Sequence, residues 1–150
     1  GLRGEYNKRE ITHYKENVPN TYKLDQFDYF PSLHLSYELA DHSQLMTSYS
    51  KRINRPDGRD LDPFPSYMNK YTIRTGNPAL KPEYTDSYEL SYMKKFGGSF
   101  LSFETFYRTT NNLITRLTNV VDDISYMTVG NMNRDYSLGG EIMGNINVTK

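Results

Sequence analysis

The chain contains no cysteine. That rules out a disulfide framework, thiolate metal sites and a cysteine nucleophile. It also lacks a net charge, because 18 basic side chains balance 18 acidic ones. No global field therefore draws nucleic acid or an anionic membrane surface. No apolar run approaches the ~18 residues of a membrane-crossing helix, and no secretory signal opens the chain. Helical periodicity of useful length is missing, as are GxSxG, P-loop and GxGxxG motifs. His13, His34 and His42 are scattered without metal-ligand spacing. These absences point away from an enzyme, a metal site, a cofactor and a nucleic-acid partner.

Apolar residues make up only 36% of the 150-residue chain, yet 14 Tyr and 7 Phe are present. Disordered chains are poor in aromatics, so these rings pack or face an interface. The dominant pattern is a period of two, the signature of a strand with two unlike faces. Gly1 to Tyr6 reads as the end of a strand. Leu33, Leu35, Tyr37 and Leu39 share one face against Ser32, His34, Ser36 and Glu38. Leu45, Thr47 and Tyr49 follow, then Tyr84, Tyr88, Leu90 and Tyr92 against Thr85, Ser87, Glu89 and Ser91. Leu101, Phe103, Thr105 and Tyr107 continue in a strand running to about Thr118. A turn at Val121 to Asp123, a short strand over Tyr126 to Val129 and a last strand from about Asp135 complete six main strands and one short one.

The connections read as alternately long and short. Asn7 to Gln26 is polar, charged and aperiodic, and reads as a long loop. Ala40 to Ser43 is a short turn. Ile53 to Glu83 holds five of the seven prolines, which cannot donate to a ladder, and reads as the longest loop. Gly97 to Ser99 is a tight turn. Two architectures use such strands: a sandwich whose apolar faces meet, and a membrane barrel whose apolar faces meet lipid. Loop alternation, mid-strand charges (Glu38, Glu89, Glu104, Arg108, Glu141) and tyrosines on apolar faces favour the barrel. The expected fold is all-β, an antiparallel up-and-down meander that forms part of a larger transmembrane β-barrel. Six strands cannot enclose a channel. Both ends look cut from a longer barrel domain that covers residues 1–150 throughout.

Arg74-Thr75-Gly76-Asn77-Pro78-Ala79-Leu80-Lys81-Pro82-Glu83, followed by Ser87-Tyr88-Glu89-Leu90, resembles the GNPxLKPE…SYEL stretch of TonB-dependent outer-membrane receptors. Ser50 to Pro56, Leu61 to Phe64, Phe30 to Leu33 and Gly1 to Arg3 are similar to matching segments in the Bacteroidetes branch of that superfamily. The resemblance implies a piece of a C-terminal 22-stranded barrel in the bacterial outer membrane. Its partners would be outer-membrane lipid, the remaining barrel, an N-terminal plug, the TonB system and a small ligand. The function implied is ligand binding and uptake, without catalysis. No residues match the plug or the TonB-contacting segment. The physical reading of the motif is structural: residues before Pro are pushed to extended geometry, and Gly76 is free to take positive φ.

Ligand contact is expected from the longest loop, where Arg55, Arg59, Tyr67, Tyr71 and Arg74 combine cations with aromatic faces. Siderophore, glycan, peptide and vitamin all fit such a set. Asp57, Asp60 and Asp62 loosely suggest a calcium loop but lack the EF-hand order. Glu89 and Glu104, facing across a hairpin, suggest paired acids, with wall electrostatics as the simpler account. Asn147-Val148-Thr149 spells a glycosylation site. The rival to the barrel is a soluble all-β binding module, carbohydrate-binding for example, that uses its tyrosine-rich faces as a platform.

Overall fold

Side chains on a pleated strand alternate between faces, so paired strands line up whole rows of like residues. The computed structural model describes residues 1–15, 17–39 and 41–147, and this alternation runs through most of them. The strands are β1 (Leu2–Lys15), β2 (Val18–Leu39), β3 (Ser43–Asn54), β4 (Ser66–Asn69), β5 (Thr72–Arg74), β6 (Glu83–Phe96), β7 (Ser99–Val121) and β8 (Ile124–Asn145), with one helical turn, α1 (Gly58–Leu61). They form a single sheet in the order β1-β2-β3-β6-β7-β8-β5-β4. The five principal pairings are antiparallel, and β5 adds to β8 in parallel.

Register stacks the apolar residues in rows. Leu33, Tyr49, Tyr88, Tyr107 and Leu138 stand side by side across five strands. The next rows are Leu35, Thr47, Leu90, Thr105 and Gly140, then Tyr37, Leu45, Tyr92, Phe103 and Ile142. Among the described residues no second layer covers them: Leu35 is 54% exposed and Leu138 75%. A soluble sandwich would bury this face, so the soluble binding module is not the architecture. The band ends at Lys51, Asp86 and Thr109 on one side and at Lys94 on the other. Asp86 to Lys94 covers about 27 Å along a strand, or somewhat less once tilted. That matches the apolar band of about 25 Å on outer-membrane barrels. Among the described residues no helix is long and apolar enough to cross a membrane.

The opposite face is polar through the same levels. His34, Ser48, Glu89, Phe106 and Gly139 form one row, and Ser36, Met46, Ser91, Glu104 and Glu141 the next. Glu89 thus stands beside Phe106, and Glu104 beside Ser91 and Glu141. The expected Glu89–Glu104 pair is diagonal rather than facing.

Tight turns close one end of the sheet. Gly97 and Gly98 both have positive φ (51° and 81°), the geometry of a two-residue type I′ hairpin. At the neighbouring turn Lys94 Nζ bonds the Asp41 carboxylate at 2.9 Å. With the Ser43 hydroxyl it holds Asp41 down at about 2.

The other end departs from expectation. Residues 7–26 are not a loop. β1 and β2 pair continuously from Leu2↔Pro31 to Lys15↔Val18. One face here meets water and the other is only partly covered by the segment between β3 and β6, so charged residues fill a strand that carries no regular apolar alternation. Cross-strand contacts hold it instead: Thr12 to Thr21 hydroxyls at 3.0 Å, Glu10 to Lys23 at 3.4 Å and His13 stacked on Tyr22 at 5.7 Å. The strictly alternating loop lengths therefore become alternating tight turns and tall hairpins. β8 likewise runs unbroken through Gly130, where a short strand and a second one were expected. A Cβ at Gly130 would lie 2.8 Å from Leu117 Cδ1, the end of an exposed side chain that can turn aside, so the residue that reads as a break sits within the paired strands. β2, β7 and β8 have 22, 23 and 22 residues, about twice the 9–11 that cross a bilayer. The expected roles of Ala40 in a turn, of Val148 on the last strand and of the 147–149 glycosylation site fall wholly or partly outside the described residues.

Candidate functional site

The segment between β3 and β6 is not a solvated loop. It crosses the polar side of the sheet and is tied to it at several points. Asp57 begins the construction. Its carboxylate accepts from Arg59 N at 2.8 Å and Asp60 N at 3.0 Å, capping α1. Those two amides, Asp60 first, hold the Asp57 carboxyl below its ordinary value. Asp60 then pairs with Arg74 at 2.9 Å, and Asp62 Oδ1 accepts from Phe64 N at 3.0 Å. The three aspartates suggested as a calcium loop thus serve a cap, an ion pair and a turn.

Gly76 packs directly on this turn. Its amide donates to Asp62 O at 2.7 Å, and Asn77 N donates to Asp60 O at 2.6 Å. A Cβ at Gly76 would lie 2.5 Å from Asp62 O and 2.7 Å from both Arg59 O and Asp60 O. Glycine is required here for backbone approach. The positive φ expected for it is found at Gly97 and Gly98 instead.

The Asn77-Pro78-Ala79-Leu80-Lys81 run then docks on the tall strands. Asn77 Nδ2 reaches Val129 O at 3.2 Å, and its Oδ1 accepts from Ala79 N at 3.0 Å. Asn131 exchanges two bonds with the Lys81 backbone, both at 2.9 Å, and also donates to Asn112 O at 2.8 Å. Leu80 is fully buried with Leu61 and Val129, and Ile11 and Ile114 pack against them. Burying a leucine contributes about 1.5–3 kcal/mol, so this small core is a main fastening of the segment. Arg9 donates to Leu80 O at 2.8 Å. Glu83 closes the circuit, accepting from Asn54 at 2.7 Å and from Ile114 N at 2.5 Å. Beside it, the Tyr84 hydroxyl donates to buried Asp28 at 2.9 Å and meets Gln26.

The five residues expected to meet a ligand separate into two groups. Arg55 is bound to Glu5 of β1 at 2.6 Å, and Arg74 to Asp60, so both brace the segment. Arg59 and Arg74 share a cleft with Asp62, Phe64, Ser66 and Gly76. Tyr67 and Tyr71 stand on the β4–β5 hairpin, 75% and 55% exposed, with Lys70 Nζ 4.9 Å from the Tyr71 ring centre. Deeper on the same side, Ser48 and Arg108 contact Glu89 at 3.0 and 3.7 Å. Asn131 does not stand out in the sequence, and Asn77 reads there only as part of the motif, because their partners lie about fifty residues away. Among the described residues no group of three or more His, Asp or Glu could hold a metal ion.

The fold has clear counterparts. The hemophore receptor HasR of Serratia marcescens superposes with a TM-score of 0.67 at 16% identity, over 99% of this chain and 27% of that one. The siderophore receptor PirA of Pseudomonas aeruginosa gives 0.69 at 16%, over 94% and 30%. The copper transporter OprC gives 0.68 at 14%, over 99% and 23%. The chain thus spans less than a third of the length of each of these structures. No curated protein sequence matches it. A model of the outer membrane protein beta-barrel family matches residues 1–150. A single-layer meander with one apolar face, matched to that model along its whole length, belongs to the outer membrane protein beta-barrel family and lies in the bacterial outer membrane.

Proposed function

We propose that this chain supplies part of the wall and mouth of a receptor that binds a small ligand and passes it across the outer membrane, without catalysing a reaction. Short turns of such barrels face the periplasm and the long connections face outward. On that orientation the 55–82 segment lies at the outer mouth, over the polar side. The observation that carries the reading is that this segment is folded inward and fastened to the inner sides of β1, β7 and β8. A merely solvated connection needs no buried Leu80 and no Asn131 clamp. Arg59, Tyr67 and Tyr71 are then the ligand-contacting groups, and Arg55 and Arg74 hold them in place. A plug inside the lumen and energy from TonB complete the cycle, supplied by other parts of the protein and by the inner membrane.

The test replaces residues 66–71 with a Gly-Ser linker in the protein expressed in outer membranes. Accumulation of labelled heme, ferric enterobactin and copper is compared with cells lacking the protein. The reading predicts uptake of one cargo above background, lost in the linker variant at equal barrel abundance. Uptake that is absent for all three, or unchanged in the variant, counts against it.

A further inference from the structure

Outside the segment's exposed tyrosines, a second concavity opens between the β1–β2 hairpin and the Pro78-Ala79-Leu80-Lys81 run. It encloses about 310 Å³, the lower end of the usual range for small-molecule sites. Its walls are apolar on both sides: Tyr22 and Leu24 from β2, and Pro78, Ala79 and Leu80 from the docked run. Its charged lining groups are cationic, Arg9, Lys23 and Lys81, beside the Thr21 hydroxyl, and Lys23 is already paired with Glu10 at 3.4 Å. Arg9 lies half-buried at one side, and Lys81 lies exposed at another.

Arg9 spends one N–H on Leu80 O at 2.8 Å. A guanidinium carries five donors in a planar fork, so most of its hydrogen-bonding capacity is directed elsewhere. Among the described residues no carboxylate forms an ion pair with Arg9 or Lys81, in contrast to Arg55, Arg74 and Lys23, which each have one. Beyond Tyr22, the stacked His13 ring has an Nδ1 that is shielded from solvent and has no hydrogen-bond partner among the described residues. An unsatisfied buried polar atom in a native fold calls for a reason. The His13 ring is stacked on Tyr22, which lines the cleft.

We propose that this cleft binds a single anionic group, a carboxylate or phosphate, carried on a small apolar body. The anion would lie against the Arg9 fork, with Lys81 adding field, while the body contacts Tyr22, Leu24 and Pro78. The inference rests on the receptor reading above and narrows its cargo to anionic molecules. It also identifies a contact surface separate from Arg59, Tyr67 and Tyr71.

The test uses the intact protein purified in detergent, with benzoate, neutral benzamide and inorganic phosphate as probes in calorimetric titration. Benzoate or phosphate should bind and benzamide should not, and the tighter of the two anions assigns the charged group. Arg9→Gln should weaken binding on the order of tenfold, the loss of a charge-assisted bond. Lys81→Gln should weaken it about twofold, and salt should erase that part. Arg9→Gln also frees Leu80 O, so the second readout avoids that bond: whichever of the two anions binds more tightly should protect Lys81 from acetylation in the unaltered protein. Absence of binding by both anions, equal binding of benzamide, or no protection of Lys81 overturns the proposal. Because these measurements need no uptake, a dry cleft in a protein that still transports cargo would sink this site and leave the receptor reading intact.

Discussion

Gly76 and Leu80 are the two residues on which the mouth segment depends most. Adding a methyl group at Gly76 forces three backbone carbonyls apart. Gly76→Ala should therefore destabilise the docked segment by about 1–3 kcal/mol, read as faster amide exchange over residues 57–80 in a barrel that still assembles. Leu80→Ala removes the centre of the small core and should cost about 2–5 kcal/mol locally, seen as new protease cleavage within the segment on whole cells. Asp57 gives a pH signature. Its folded carboxyl titrates below the ordinary value, so the cap's stabilisation is full above about pH 4. It is lost as pH falls through the folded value. Exchange at the Arg59 and Asp60 amides, corrected for intrinsic rate, should rise in that acidic range, and Asp57→Asn should flatten the dependence. Nothing in the local sequence distinguishes Asn131 from an ordinary strand asparagine. Its meaning comes from Lys81, fifty positions away, which only the folded register brings beside it.

At the scale of strands, legibility followed solvent. Where one face meets lipid and the other a polar interior, apolar and polar residues must alternate, and Ser32 to Arg52 and Tyr84 to Tyr107 are readable at once. Above the band one face meets water and the other a docked polar segment with only a small apolar core. Alternation no longer carries information there, and the β1–β2 hairpin reads as a loop although it is paired throughout. The Val121–Asp123 turn was readable because Asp122 and Asp123 both adopt positive φ (49° and 62°), which that residue type tolerates. The same division predicts unequal tolerance to charge. Leu90→Arg places a cation at the middle of the lipid face and should lower barrel stability by about 2–4 kcal/mol. Ser91→Arg, one residue on, points to the polar side beside Glu104 and should cost little. Urea titration of the intact protein refolded into lipid vesicles distinguishes the two.

Across the whole molecule, the family-typical Gly76–Glu83 run was visible in the sequence, and so was the membrane setting. The route of the 55–82 segment was not, because a crossing from β3 to β8 and back to β6 leaves no periodic trace. The five candidate ligand residues also look alike as letters. Only ion pairing to Glu5 and Asp60 separates Arg55 and Arg74, which brace, from Arg59, Tyr67 and Tyr71, which stay accessible.

The parallel pairing of β5 with β8 has a further effect on the wall. Thr72, Ile73 and Arg74 occupy the outer edge of β8 at Ser125, Tyr126 and Met127. Any strand that comes to lie along β8 from that side can bond only below this level, since the upper donors and acceptors are already taken. The rim must therefore step down at this seam.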